Sequence, residues 1–265
     1  MKYAFIGGGN MGSAMAAALV ERGICAAAEM LVVDPDAARQ AQHRAAGYAV
    51  AAAVDASVSQ APVVVLAVKP QTAPDAFAQL KALLGPGQTI VSIMAGITMA
   101  ALSAGLGTER LVRVMPNTPA QVGLGMNVYM AAAGLDAAAL SPVEQLLGAC
   151  GEALRVDSED AIDAATAVSG SGPAYVFYVA EHWLKAAQEL GFTAEQAARL
   201  VQQTLLGATT LWQRGGTPVG TLREQVTSKG GTTAAALGHF DAQSVGEHIR
   251  QGVHQAYRRA KELGS

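Results

Sequence analysis

The sequence predicts an α/β domain over residues 1–158, followed by an all-α domain over residues 159–265. Three observations support this division. Short apolar, strand-like runs alternate with helical patterns as far as Val156, and from Ser158 onward only helical patterns rich in Ala, Leu and Gln remain. The chain also opens with a strand, a glycine turn and a helix. Alternating strands and helices are typical of a parallel sheet covered by helices, and a run of helices is typical of a separate domain.

The opening segment predicts dinucleotide binding. Tyr3–Ile6 is a short apolar strand, and a helix begins at Asn10 and continues to about Arg22. Between them, Gly7, Gly9 and Gly12 have the G-x-G-x-x-G spacing of a Rossmann-type nucleotide domain. The helix start directs N–H groups and a positive dipole end at phosphates. The alternative interpretation is a plain strand–helix turn.

The second strand ends in an acidic residue that bears on the cofactor. Asp34 follows the strand Leu31–Val33 and lies 22 residues beyond Gly12, where an acid accepts the ribose hydroxyls of NAD. Asp36 adds negative charge where NADP would place its 2′-phosphate. Arg39 and Arg44 can reach back from the next helix, although solvated positions are the alternative. We expect either NADPH or NADH to serve, with NADH at least competitive.

The remaining segments of the α/β domain place further residues at the same sheet edge. The apolar run 62–68 is typical of a central parallel strand, and Lys69 directly after it is expected at the cofactor edge rather than as a plain surface lysine. Pro116–Pro119 is expected to form either a wall of the nicotinamide pocket or a rigid turn. The other predicted elements are strands at 89–93, 110–115, 125–130 and 153–156, and helices ending near 46, 84 and 150.

The second domain is expected to pair with another copy of the chain. Ala174–Ala180 is apolar on all sides, and such a helix has to be buried on all sides. Because one bundle of this size offers too little cover, we expect a homodimer through the all-α domain. Its predicted helices are 161–168, 173–190, 193–213, 219–225, 232–239 and 244–262.

Two glycine-rich segments interrupt these helices. They are Ser169–Pro173 and Val226–Thr233, and each precedes a helix. Backbone N–H groups, hydroxyls and a helix start together suit a small anion such as a carboxylate. The alternative is two ordinary helix connections, but the hydroxyls beside paired glycines favour a substrate site in the second segment.

Composition excludes several other classes of protein. Half of the residues are apolar and the net charge is −3, so a nucleic-acid groove is not expected. No apolar run is long enough for a membrane span, the first strand leaves no room for a signal peptide, and we expect a cytoplasmic protein. Cys25 and Cys150 are expected to be buried, and no metal site is predicted.

The absence of a recognisable acid–base residue in the sequence bears on the chemistry. The five histidines have neither metal-ligand spacing nor an obvious catalytic partner. A protonated imine is already electrophilic, so its reduction needs little beyond positioning against a hydride donor. An oxidoreductase acting on a C=N bond therefore fits this sequence better than one acting on a ketone.

Five segments together resemble the pyrroline-5-carboxylate reductase family, in the same order along the chain. This resemblance implies NAD(P)H-dependent reduction of 1-pyrroline-5-carboxylate to L-proline, the final step of proline biosynthesis. It also implies an all-α dimerisation domain, dimers that assemble into larger rings, and an active site built from both chains. The segments are Phe5–Met11, Leu66–Gln71, Val112–Pro119, Ser169–Tyr175 and Val226–Thr233.

The resemblance also implies roles for individual residues. The substrate carboxylate rests on the backbone of Gly230 and Gly231, Thr233 is the catalytic residue that bonds the ring nitrogen, and Val226 and Ser228 line the pocket. Many members of the family carry Asn or Ser, often beside Arg, where this chain has Asp34-Pro35-Asp36, which is why NADH is expected to compete. The implied cofactor contacts are Ile6, Gly7, Gly8, Gly9, Asn10, Met11, Asp34, Ala67, Val68, Lys69, Pro70, Met94, Ala95 and Gly96.

Two other functions are compatible with parts of the sequence. A β-hydroxyacid dehydrogenase shares the opening motif, but it needs a lysine in the helix after its second glycine motif, and Pro173–Ala180 contains none. A dinucleotide-sensing module without catalysis would need Val226–Thr233 to be only a helix connection.

Overall fold

A single eight-stranded sheet organises the first part of the chain. The computed structural model describes residues 1–264. The strand order is β3-β2-β1-β4-β5-β6-β7-β8; the first six strands are parallel, and β7 and β8 run in the opposite direction. The strands are β1 Tyr3–Ile6, β2 Met30–Val33, β3 Ala49–Ala51, β4 Val63–Leu66, β5 Thr89–Ser92, β6 Leu111–Met115, β7 Gly125–Ala131 and β8 Gly151–Arg155.

Eleven α-helices are described in residues 1–264. None of them combines the length and the apolar character that crossing a membrane requires. The helices are α1 Asn10–Glu21, α2 Ala37–Ala45, α3 Ala73–Leu80, α4 Met99–Leu106, α5 Ala137–Cys150, α6 Glu159–Ala165, α7 Gly172–Glu189, α8 Ala194–Gly215, α9 Val219–Gln225, α10 Thr232–Ala242 and α11 Val245–Leu263.

The chain forms two compact units. Met1–Pro173 and the chain end from Ala256 form the first, which we call the nucleotide unit. Ala174–Gln255 forms the second, which we call the helical unit. The predicted fold class is confirmed, because a mainly parallel sheet with helices is followed by helices alone. The division into functional domains after residue 158 stays a prediction.

Successive side chains of each strand point to opposite faces of the sheet, so the nucleotide unit has two apolar layers, one on each face. Along β1, Tyr3 and Phe5 pack into one layer, while Ala4 and Ile6 pack into the other, as the two-residue period of a strand requires. The first layer includes side chains of α1 and α5, and the second includes side chains of α3 and α4. All four residues of β4 are buried, which confirms the predicted central strand.

Several elements depart from the sequence predictions. β3 and α4 were not predicted, although Thr98 caps the N-terminus of α4 and Gly107 ends it in a left-handed conformation. The predicted helix 161–168 is divided into α6 and a π-helical segment, Thr166–Gly170. The two cysteines are buried and free, as predicted, and burial raises the pKa of the Cys150 thiol to about 12.

Candidate dinucleotide and substrate sites

A cavity of about 750 Å³ lies at the carboxyl ends of β1, β2 and β4. This edge of a parallel sheet is where open α/β folds bind ligands, and the volume suits a ligand of dinucleotide size. Nine of the predicted cofactor residues line the cavity, namely Ile6, Gly7, Gly9, Asn10, Met11, Asp34, Ala67, Val68 and Lys69.

The glycine turn is packed too closely for side chains. Gly7 has a φ of +105°, and a Cβ built there would lie 2.6 Å from the carbonyl oxygen of Ala67. A Cβ on Gly12 would lie 2.5 Å from the carbonyl oxygen of Gly7. The turn therefore brings backbone, without side chains, to the entrance of α1, and a pyrophosphate at this helix start needs that arrangement.

The carboxylate of Asp34 is held at the end of β2 and is only 3% exposed. Its Oδ2 accepts a hydrogen bond from the N–H of Gly8 at 2.8 Å, and its Oδ1 accepts one from the N–H of Asp36 at 2.9 Å. Nη1 of Arg39 is 3.4 Å from Oδ2. A carboxylate has about four acceptor positions. Three are in use here, so Asp34 keeps capacity for a ribose hydroxyl.

The charges around the cavity are of both signs. Three carboxylates, those of Asp34, Asp36 and Asp75, line it together with the cationic Arg39 and Lys69. The backbone N–H of Arg39, which bonds the Asp36 carboxylate, lowers the pKa of that carboxyl. Arg44 points elsewhere, because its Nη2 donates to Oε1 of Gln40 at 3.0 Å. Of the two arginines considered for a 2′-phosphate, only Arg39 reaches the site.

Five predicted cofactor residues are not among the cavity-lining residues of the described chain. They are Gly8, which packs against His43, Pro70, which follows Lys69, Met94, which is buried in the second apolar layer, Ala95 and Gly96. Gly96 has a φ of +74° and packs against the end of α11, where a Cβ would lie 2.6 Å from the carbonyl oxygen of Leu263. The turn Met94–Gly96 therefore contacts the chain end rather than this cavity.

The loop Pro116–Pro119 has a structural role. Nδ2 of Asn117 donates to the carbonyl oxygen of Ser169 at 3.0 Å, and its Oδ1 accepts from the N–H of Met126 at 2.8 Å. Asn117 thus joins the end of β6 to the start of β7 and to the π-helical segment. These bonds agree with the interpretation as a rigid turn, and a wall of the nicotinamide pocket stays a prediction.

A second link attaches α6 to the sheet. Arg113 on β6 is buried and forms ion pairs with Glu159 and with Asp163, the latter at 3.1 Å. Burial lowers the pKa of the Arg113 guanidinium, and the charge of Asp163 opposes that shift. Oε1 of Glu159 also accepts from the N–H of Met99 at 2.6 Å, at the start of α4. Three elements therefore depend on one buried cation.

The predicted substrate segment connects α9 and α10 in the helical unit. Val226 ends α9, Gly230 has a φ of +74°, and Gly231 is the N-cap of α10. The N–H of Gly231 donates to the carbonyl oxygen of Ser228 at 3.0 Å. A carboxylate bound to this N–H would therefore have to share or replace that turn bond. Thr233 lies in the first turn of α10, where backbone N–H groups lack helical partners.

The comparisons with known proteins cover the whole chain. The chain is 41% identical to the pyrroline-5-carboxylate reductase of Pseudomonas aeruginosa, over 99% of this chain and 96% of that protein. It belongs to the pyrroline-5-carboxylate reductase family. Residues 159–263 match the family described as pyrroline-5-carboxylate reductase dimerisation, and residues 2–96 match NADP oxidoreductase, coenzyme F420-dependent.

Solved structures of the family have the same fold. The pyrroline-5-carboxylate reductase of Coxiella burnetii is 33% identical, with a TM-score of 0.91 over 100% of this chain and 98% of that one. The Plasmodium falciparum enzyme, solved with NADP bound, is 28% identical, with a TM-score of 0.89 over the same shares. The predicted family is thus confirmed, and with it an oxidoreductase that uses NAD(P) and associates with itself.

Sequence reasoning missed one residue at this site. His43 lies directly beneath the glycine turn, with Nε2 3.2 Å from the carbonyl oxygen of Gly8. No spacing in the sequence connects these two positions, because their contact depends on how α2 packs against the end of β1.

Proposed function

We propose that this chain reduces 1-pyrroline-5-carboxylate to L-proline with NADPH or NADH, the final step of proline biosynthesis. The observation that carries the proposal is the relationship over 99% of the chain to a pyrroline-5-carboxylate reductase. The cavity at the glycine turn supports it independently, since its volume and its closely packed glycines suit a dinucleotide. When bound there, a reduced nicotinamide supplies the hydride.

The substrate is proposed to bind at Val226–Thr233. The substrate carboxylate rests on the backbone of Gly230 and Gly231 near the start of α10, where the helix dipole favours an anion. Val226 and Ser228 line the pocket, and the hydroxyl of Thr233 bonds the ring nitrogen. The imine nitrogen is protonated before hydride reaches the imine carbon, so the product is the secondary amine. Within one chain Val226 is largely exposed, which leaves it accessible to substrate and to a partner copy.

A substitution at Thr233 tests this assignment. Thr233→Ala removes the hydroxyl that orients the ring, so kcat is expected to fall about 10- to 100-fold, in the range of a lost transition-state hydrogen bond. The dissociation constant for NADH should stay within about twofold. Thr232→Ala, one position earlier on the same helix turn, is the matched control. Equal activity of the Thr233 and Thr232 variants would contradict the role given to Thr233.

The reaction itself is tested by NAD(P)H oxidation in the presence of 1-pyrroline-5-carboxylate, beside a panel of oxidised hydroxyacids. Turnover with the imine alone is expected. Turnover with the hydroxyacid partners alone would assign the chain to the β-hydroxyacid dehydrogenases instead. Binding of dinucleotide without any turnover would favour the sensing module.

We further propose that NADH is at least competitive with NADPH. Asp34 and Asp36 repel a 2′-phosphate, and Arg39 is already paired with Asp34. The 3.4 Å contact of Arg39 is the longest of the three to Asp34, so a ribose hydroxyl replaces it most easily. We expect kcat/KM for NADH to equal or exceed that for NADPH. A strong preference for NADPH would overturn this proposal.

The assembly and the cellular location are proposed on the same basis. Self-association through residues 159–263 follows from the dimerisation family, and a ring of dimers is the larger assembly that we propose. Light scattering of the purified protein distinguishes a dimer from a ring. We propose that the enzyme acts in the cytoplasm, and fractionation of cells that express it tests this.

A further inference from the structure

His43 is a buried side chain to which the reaction assigns no role. It lies in the last turn of α2 and is 6% exposed. Its Nε2 is 3.2 Å from the carbonyl oxygen of Gly8 and 3.4 Å from Oγ of Ser13. The imidazole therefore packs against the glycine turn, and it is not among the residues that line the cavity.

The His43 imidazole occupies the space that a side chain at position 8 would need. A Cβ built on Gly8 would lie 2.5 Å from Nε2 of His43 and 3.0 Å from Cγ1 of Val32. Gly8 has an ordinary backbone conformation, since it is not among the glycines with positive φ. A side chain at position 8 is thus excluded by the imidazole, and the backbone alone would allow one.

The peptide unit that joins Gly8 to Gly9 is held by two donors. Oγ of Ser13 donates to the carbonyl oxygen of Gly8 at 2.8 Å, and Nε2 of His43 is the second group within hydrogen-bond distance. Because a carbonyl oxygen can only accept, we assign the proton of the neutral imidazole to Nε2. The preceding peptide unit is also fixed, since the N–H of Gly8 donates to Asp34.

This arrangement sets the direction of a neighbouring N–H group. A trans peptide unit is planar, so the N–H of Gly9 points away from the carbonyl of Gly8. The carbonyl of Gly8 is held toward Ser13 on α1 and His43 on α2, neither of which lines the cavity. The N–H of Gly9 therefore lies on the other side of the peptide unit, and Gly9 does line the cavity. An N–H group aimed at a phosphate forms a charge-assisted hydrogen bond, which is stronger than one between neutral groups.

We propose that His43 is a positioning residue for cofactor binding, which holds the Gly8 carbonyl from beneath and so aims the Gly9 N–H at the pyrophosphate of the dinucleotide. The proposal rests on dinucleotide binding at the glycine turn. The ligand group that it concerns is the pyrophosphate shared by NADH, NADPH and ADP-ribose.

Two substitutions at His43 test the proposal in the full-length enzyme. His43→Leu keeps an apolar side chain of similar size but removes the donor. The dissociation constants for NADH and for ADP-ribose should both rise about tenfold, while kcat at saturating NADH stays within about twofold. His43→Gln retains an N–H donor of similar reach and is expected to recover most of the affinity.

A third variant distinguishes a positioning role of His43 from a general loss of stability in the nucleotide unit. Gln88 is a buried side chain whose Nε2 donates to the carbonyl oxygens of Val58 and Ala61, away from the cavity. Gln88→Leu therefore removes buried hydrogen bonds to backbone without touching the glycine turn. It should lower Tm as His43→Leu does, but it should leave the affinity for NADH within about twofold of the wild type.

The outcomes are distinct. Wild-type affinity of His43→Leu for NADH overturns the proposal, as does equal weakening in Gln88→Leu, or a failure of His43→Gln to recover affinity. A loss of kcat with unchanged affinity overturns it too. If the wild-type protein binds neither NADH nor ADP-ribose, the dinucleotide site itself is wrong, and the failure belongs to the proposed function.

Discussion

The nucleotide unit and the helical unit bury their apolar side chains to very different degrees. Both clusters of buried core residues belong to the nucleotide unit. In the described residues 174–255, by contrast, the buried apolar residues are Ala187, Ala197 and Val201. Large apolar side chains that remain exposed there include Val176, Phe177, Tyr178, Val179, Leu206, Leu211, Trp212, Phe240 and Ile249.

This difference indicates that the two units obtain their stability from different sources. The nucleotide unit completes its core within one chain. The helical unit presents an apolar surface of the kind that marks an interface, and residues 159–263 match a family described by its dimerisation. The stability of the helical unit is therefore expected to depend on protein concentration, as in obligate dimers.

The largest effect is expected from a charge placed on the apolar surface of the helical unit. Phe177 is 67% exposed in the single chain. In a dimer, Phe177→Asp would bury an unpaired carboxylate, so self-association should weaken on the order of 100-fold or more, with loss of activity. Light scattering and turnover measure both effects.

The matched control for that change lies in the nucleotide unit. Val122 is 73% exposed, and Val122→Asp should leave assembly unchanged, because this unit does not depend on a partner for its core. Dissociation of the Val122 variant, or a fully assembled Phe177 variant, would remove the contrast between the units.

A large truncation inside the nucleotide unit comes next. Phe5 is fully buried at the centre of the sheet. Phe5→Ala leaves a cavity there and should lower the free energy of unfolding by about 3–5 kcal/mol, whatever the protein concentration. Urea unfolding at two concentrations tenfold apart measures this. A loss that changes with concentration would indicate that the nucleotide unit also relies on a partner.

A smaller loss of stability is expected at Gly8, whose backbone packs directly against the His43 side chain. Gly8→Ala forces a Cβ against His43 and should cost about 1–3 kcal/mol. In the background of His43→Ala the same substitution should cost much less, because the obstructing imidazole is gone. Thermal unfolding of the four variants gives the coupling energy. If the stability losses of the two substitutions simply add, a Cβ at position 8 does not clash with the His43 imidazole.

The last comparison of the two units concerns pH. Burial raises the pKa of Tyr3 and of the Cys150 thiol to about 12 each, and both lie in the nucleotide unit. Their neutral forms are the stable ones in the fold, so stability is full below the ordinary pKa values of about 9–10 and falls as pH rises toward 12. In the helical unit, hydrogen bonds from Lys185 and Arg250 instead lower the pKa of the Glu181 and Glu247 carboxyls, respectively.

Urea unfolding at pH 8, 9.5 and 11 checks this expectation. The free energy of unfolding should decline across the series. It should decline less steeply for Cys150→Ala, because one of the two titrating groups is absent. A stability that rises with pH over this range would contradict the assignment.

The sequence predicted the fold class because its signals are local. Apolar runs such as Val63–Leu66 and the spacing of Gly7, Gly9 and Gly12 are visible in a few consecutive residues. Asp34 was placed at the cavity for the same reason, by its distance from the glycine turn. These predictions rest on strand periodicity and on steric needs that hold in any chain.

The structure added what local patterns do not contain. β3 has three residues, too few for a recognisable period, and the reversed direction of β7 depends on pairing with β6. The bonds of Asn117 join segments up to 52 residues apart. α4, in contrast, carries local signals in the sequence, since Thr98 caps its start and Gly107 ends it.

The contact between Gly96 and the end of α11 bears on how this enzyme should be prepared. The last turn of the final helix packs on a turn between β5 and α4, and Nζ of Lys261, two residues before Leu263, donates to Asp160 on α6. Truncating the protein at residue 259 would expose that turn and release α6 from its exposed partner. Engineered variants of this enzyme should therefore keep the last turn of α11, including Lys261 and Leu263.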